Sequence, residues 1–91
     1  ADTDEIKAIK ETAKREVLKY ITAQMVNNKK QDITLSGAIN AYSALKGENL
    51  IEVLHNALKH KDSIVRAAAA GLLANQPVSK ENIETLNKAF D

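Results

Sequence analysis

The side chains that could do chemistry here are two histidines, a scatter of carboxylates and a few serines, and spacing limits what they can do. His55 and His60 are the only histidines, and a separation of five residues places them about 140° apart around a helix of 3.6-residue period. A regular helix therefore cannot aim both at one metal ion. Glu52 and His55 are better spaced, but one carboxylate and one imidazole make at most half a ligand set. The expected roles are plainer: His55 on a solvated surface and His60 at a helix C-terminus, where a cation is welcome. Ser36, Ser43, Ser63 and Ser79 read as caps and small surface residues, since neither histidine stands in a visible relation to them. The three scattered glycines form no phosphate loop. Cysteine is absent, which removes disulfides, thiolate metal sites and a cysteine nucleophile. The expectation is a chain with no catalytic, cofactor-binding or metal-ligating residues, and so not an enzyme.

A chain of 91 residues makes one domain, and a domain of that size buries roughly two-thirds of its unfolded surface. Ala, Leu, Ile and Val dominate the apolar residues, with Tyr20, Tyr42 and Phe90 the only aromatics; this favours close helix packing over sheets. A net charge of +1 argues against a dedicated nucleic-acid binder, which needs clustered cations for phosphates. No apolar run approaches the roughly 20 residues that span a bilayer. A start at Ala1-Asp2-Thr3 without Met suits loss of a signal peptide, loss of an initiator Met, or a trimmed chain. A cytoplasmic location comes first among these readings, with an exported one beside it.

The elements follow from apolar period and punctuation. Asp2 or Thr3 caps a first helix whose stripe is Ile6, Ile9, Ala13, Val17, Ile21 and Met25, with Tyr20 beside it. Glu11 and Arg15 stand at a supportive i,i+4 spacing, and Asn27 to Lys30 end the helix. Asp32 or Thr34 opens a second helix carrying Leu35, Ile39, Tyr42 and Leu45, stopped by Gly47. Asn49 caps a third with Leu50, Ile51, Leu54, Ala57 and Leu58. Asp62 or Ser63 starts a fourth, from Ile64 to about Asn75, beyond which Pro77 forbids extension. Ser79 caps a fifth with Ile83, Leu86, Ala89 and Phe90. Connections this short force successive helices to lie antiparallel.

The chain also repeats itself. Lys29-Lys30-Gln31-Asp32-Ile33-Thr34-Leu35 matches Lys59-His60-Lys61-Asp62-Ser63-Ile64-Val65, and the same offset pairs Ile39 with Ala69 and Tyr42 with Leu72. Ile51 to Leu58 matches Ile83 to Phe90 through I-E-x-L-x-x-A and a large apolar residue. Two such matches favour a solenoid over a plain bundle. The stretch Asp62-Ser63-Ile64-Val65-Arg66-Ala67-Ala68-Ala69-Ala70-Gly71-Leu72-Leu73 resembles the second helix of a HEAT-type repeat, particularly the short form of phycobiliprotein lyase-like proteins, the likeness running from Leu50 to Gln76. Ser36 stands where the preceding repeat of that pattern would carry Arg, so a continuous Asp–Arg ladder is not expected. The resemblance implies an all-α, right-handed array of antiparallel helix pairs, an α-α superhelix of about five helices. The units would be 1–47, 48–77 and a terminal helix or truncated repeat at 78–91. Independently of the family, the small side chains from Ala67 to Gly71 are expected to let helix backbones approach closely.

Stacked pairs expose a continuous concave face built from the second helix of each pair. With the stripe set as Val65, Ala69 and Leu72, the exposed rows are Ser36, Asn40 and Ser43, then Arg66, Ala70 and Leu73. That mixture suits a protein or peptide partner. The alternatives are a nucleic-acid-associated module using a basic rim of Lys29, Lys30, Lys59 and Lys61, joined by His60 and Arg66, and an accessory subunit of an enzyme.

Overall fold

The computed structural model describes residues 3–76. These form four helices, and no strand occurs among the described residues: α1 (Asp4–Asn27), α2 (Ile33–Ala44), α3 (Leu50–Ala57) and α4 (Ser63–Ala74). The expected fifth helix, with the repeat match at Ile83 to Phe90, lies outside the described residues.

Three of the four starts are side-chain caps of the expected kind. Thr3 Oγ1 accepts the Ile6 N–H at 3.2 Å, Asp32 Oδ1 that of Leu35 at 3.2 Å, and Asp62 Oδ1 that of Ile64 at 2.8 Å. Each satisfies a donor that the first helical turn leaves unpaired. Asn49 precedes α3 but makes no side-chain cap, because it sits in the left-handed region at φ 56°. The end of α1 uses Asn28 at φ 48°, with its N–H on the Gln24 carbonyl; asparagine is the residue after glycine that tolerates this conformation best.

The end of α2 differs from expectation in an instructive way. Its left-handed residue is Lys46 at φ 55°, not Gly47. The Gly47 N–H reaches the Tyr42 carbonyl and the Lys46 N–H the Ser43 carbonyl, both at 3.0 Å, a Schellman closure. Gly47 is needed for another reason: a Cβ there would run into the Tyr42 ring. That ring is buried and its hydroxyl donates to the Glu48 carbonyl at 2.7 Å. Burial, then the nearby Glu48 carboxylate, raises the phenol above its ordinary pKa, which keeps it a donor.

The core is Ile21 from α1, Leu35, Ile39 and Tyr42 from α2, Leu54 and Ala57 from α3, and Val65, Ala69 and Leu73 from α4. α2 packs on α1 and α4, and α3 packs mainly on α4. Leu35 with Val65 and Ile39 with Ala69 hold equivalent buried places thirty residues apart. The next step breaks the equivalence. Leu73 is fully buried and Leu72 only partly, so the expected stripe of Val65, Ala69 and Leu72 is corrected to Val65, Ala69 and Leu73. α4 packs on α2 and α3, whereas α2 packs on α1 and α4, and the buried arc of α4 is turned by about 30° on the 3.6-residue wheel.

Two further corrections concern α1 and the alanine run. Ile6 and Ile9 are 42% and 62% exposed, so the stripe is buried only towards its C-terminal half, where Leu18 joins it. Glu11 pairs with Lys14 at 2.9 Å rather than with Arg15, which reaches Thr12 instead. Ala67 and Gly71 are exposed, and a Cβ on Gly71 would meet nothing within 4 Å. Ala69, fully buried, faces the core from the middle of the run, so only the Ala67 and Gly71 side of it is turned away from the helix contacts.

Candidate functional site

The turn between α1 and α2 and the turn between α3 and α4 lie side by side and are laced together. Asp62 Oδ2 accepts the Asp32 N–H at 2.6 Å, and in return Asn28 Oδ1 accepts the Lys61 N–H at 2.9 Å. Since Asp32 and Asp62 are the caps of α2 and α4, the two second helices start next to each other. The Asp62 carboxyl is held below the usual carboxylate value by the N–H donors of Asp32 and Ile64, which favour its charged form.

Three residues play parts unlike those expected. His60, expected as a cation at a helix C-terminus, is 2% exposed, and its Nδ1 accepts the Asp62 N–H at 3.0 Å, which requires that nitrogen to be unprotonated; His55, expected on a solvated surface, is half-buried. Arg66 belongs to the expected exposed row and its side chain is exposed. Its guanidinium is nevertheless fastened, Nη1 donating to the carbonyls of His60 at 2.7 Å and Lys61 at 2.8 Å. It fixes the turn through carbonyls and not through the carboxylate of Asp62 or Asp32.

The lacing brings Lys29, Lys30, Lys59 and Lys61 onto adjoining turns, all four exposed. Four exposed lysines thus stand on adjoining turns, while His60 is turned inward and Arg66 is tethered.

Along the second helices the expected row is partly displaced. Asn40 is exposed, while Ser36, Ser43 and Ala70 are half-buried. Ser36 Oγ donates to the Ile33 carbonyl at 2.8 Å and Asn40 Nδ2 to the Ser36 carbonyl at 3.1 Å, so both are turned back on their own helix. Leu73 is buried and drops out of the row for the reason given above. The open face is instead Gly37, Ala41 and Ala44 on α2 and Ala67, Gly71 and Ala74 on α4, all exposed. Each residue of the first set stands thirty positions before one of the second. The signal was available as three pairs of small residues at the offset already set by Asp32 and Asp62.

Elsewhere, an open groove of about 710 Å³ runs along α1 past Leu18, Thr22 and Val26, continuing into one of about 340 Å³ bounded also by Met25 and Val53. No three metal-ligating side chains gather among the described residues, and among them no helix is long and apolar enough to cross a membrane. No protein-family model, no curated protein and no solved structure matches the chain.

Proposed function

We propose that this chain is a HEAT-like helical-repeat module that binds a protein or peptide on the face of its second helices and performs no catalysis itself. One observation carries the reading: α2 and α4 start side by side and expose small residues in register, Gly37 with Ala67, Ala41 with Gly71 and Ala44 with Ala74. A face without long side chains costs little side-chain entropy to cover and admits another backbone closely. A right-handed superhelical stacking of the pairs would make this face concave, as in other helical solenoids. Asn40 and Arg66 are exposed beside it, held in place by their bonds to the Ser36, His60 and Lys61 carbonyls.

The test is selection of peptides by display against the intact chain, followed by binding to the variant Ala41→Arg with Gly71→Arg. Both side chains point to open surface, so the melting temperature should stay nearly unchanged while the selected peptides lose at least about tenfold in affinity, or about 1.4 kcal/mol. Replacing Lys59 and Lys61 by Gln should leave peptide binding intact. A module using the basic rim is the second reading, favoured by the four exposed lysines on joined turns. It predicts the opposite pattern: oligonucleotide binding that weakens steeply with salt and is lost in the lysine variant.

A further inference from the structure

We propose that the joint between the two turns is a proton-operated latch, closed while the buried ring of His60 is neutral and opened by a proton on its Nδ1. The latch is a property of the fold and does not depend on what the second-helix face binds.

A chain of hydrogen bonds starts at the ring. His60 Nδ1 accepts the Asp62 N–H at 3.0 Å. The Asp62 carboxylate in turn caps α4 through Oδ1 and takes the Asp32 N–H through Oδ2. The Lys61 N–H makes the other tie, to Asn28 Oδ1. Both ties to the α1–α2 turn therefore leave from Lys61 and Asp62, the two residues that follow the ring. A backbone N–H cannot donate to a nitrogen that carries its own proton. A protonated Nδ1 sets donor against donor across residues 60 and 62, and the segment that holds both ties has to shift.

The charged groups gathered at the joint do not offer a protonated ring a partner. α4 brings Asp62 and Arg66. Asp62 is within electrostatic range of the ring, but both of its oxygens are committed to N–H donors, and the Arg66 guanidinium on the His60 carbonyl opposes its pull. The turn before α2 brings Asp32. Asp32 Oδ2 and His60 Nε2 are both shielded and both without a hydrogen-bond partner among the described residues, so neither reaches the other. The end of α1 brings the uncharged Asn28, followed by Lys29 and Lys30, and Lys59 and Lys61 flank the ring in sequence; all four lysines add positive charge. α3 has its one carboxylate, Glu52, in its first turn, at the far end from His60, and His55 in its last. With the ring 2% exposed, a charge on it lacks both water and a counter-group. The open form thus binds the extra proton more readily, and acid favours opening. Histidine changes charge between about pH 5 and 8, which sets the range in which the latch works.

Amide hydrogen exchange of the full chain, followed by NMR at about pH 7.5 and about pH 5.5, tests this. Rates are taken relative to the Ile39 amide inside α2, which removes the intrinsic effect of pH. Protection of the Asp32, Lys61 and Asp62 amides should fall at least about tenfold at the lower pH. The melting temperature should fall with it by about 4–8 °C, the size of one hydrogen bond in a chain of this length. His60→Asn puts an acceptor that does not titrate near the place of Nδ1 and should remove both changes, whereas His55→Asn should keep them. Nitrogen shifts of the His60 ring, read in the parent, should move in step with the loss of amide protection. Equal protection at the two pH values overturns the proposal. So does a loss that persists in His60→Asn or vanishes in His55→Asn, and so does a ring that stays neutral throughout the range.

Discussion

Asp62 joins more of the structure than any other carboxylate described here, capping α4 and holding the turn before α2 through separate oxygens. Because its pKa is depressed in the folded chain below the ordinary 3.8, the stability it contributes is fully present above the unfolded value. It is lost as pH falls through the lower, folded one. Thermal melts between pH 7 and pH 2 should show Asp62→Asn, which retains a capping oxygen, melting below the parent at neutral pH. The gap should close in acid, beginning near pH 4. A gap independent of pH would show that the loss comes from geometry and not from charge. Residues of this kind were half legible in advance. The capping roles of Thr3, Asp32 and Asp62 could be read locally, from a polar residue ahead of an apolar period. The inward turn of His60 and the carbonyls held by Arg66 could not, because both depend on a turn closing upon itself.

At the scale of the helix, glycine separates two kinds of position. Gly37 and Gly71 lie in helices with no atom within 4 Å of an added Cβ and without positive φ. Alanine there should stabilise the chain by about 0.5–1 kcal/mol through the entropy of the unfolded state. Gly47→Ala should do the reverse, since the Tyr42 ring fills the space and must move from its hydrogen bond to Glu48. Urea unfolding of the three variants checks the signs, and destabilisation by Gly71→Ala would mean that the open face is in fact covered. Helix existence and period were legible because each stripe is long. The choice between Leu72 and Leu73 was not. A seven-step and an eight-step return both fit a helical wheel, and only the neighbours of α4 decide which of them is buried.

For the molecule as a whole, the described core is concentrated where α2 meets α4, with α1 and α3 closing its sides. Hydrogen exchange should reflect that distribution. Amides within Leu35–Ile39 and Val65–Ala69 should exchange last, and those of α1 ahead of Ala13 should exchange with the fastest helical set. Uniform protection along α1 would show that its first half is held by something beyond its own turns. The thirty-residue offset between Asp32 and Asp62 made the neighbouring starts of α2 and α4 legible in the sequence. What the open face would bind was not legible, because small exposed residues specify a shape and not a chemistry.

The unequal lengths of α1 and α2, 24 and 12 residues, carry a consequence for how the chain responds to heat. At 1.5 Å per residue α1 is about 36 Å long and its partner about 18 Å, so about half of α1 has no second helix beside it from α2. The exposed first turns around Ile6 and Ile9 should therefore follow a helix–coil equilibrium, which shifts gradually with temperature, and not the all-or-none loss of a packed interior. Ellipticity at 222 nm should therefore decline on a slope well before the calorimetric peak, and the enthalpy drawn from a two-state fit to the ellipticity should fall short of the enthalpy measured as heat.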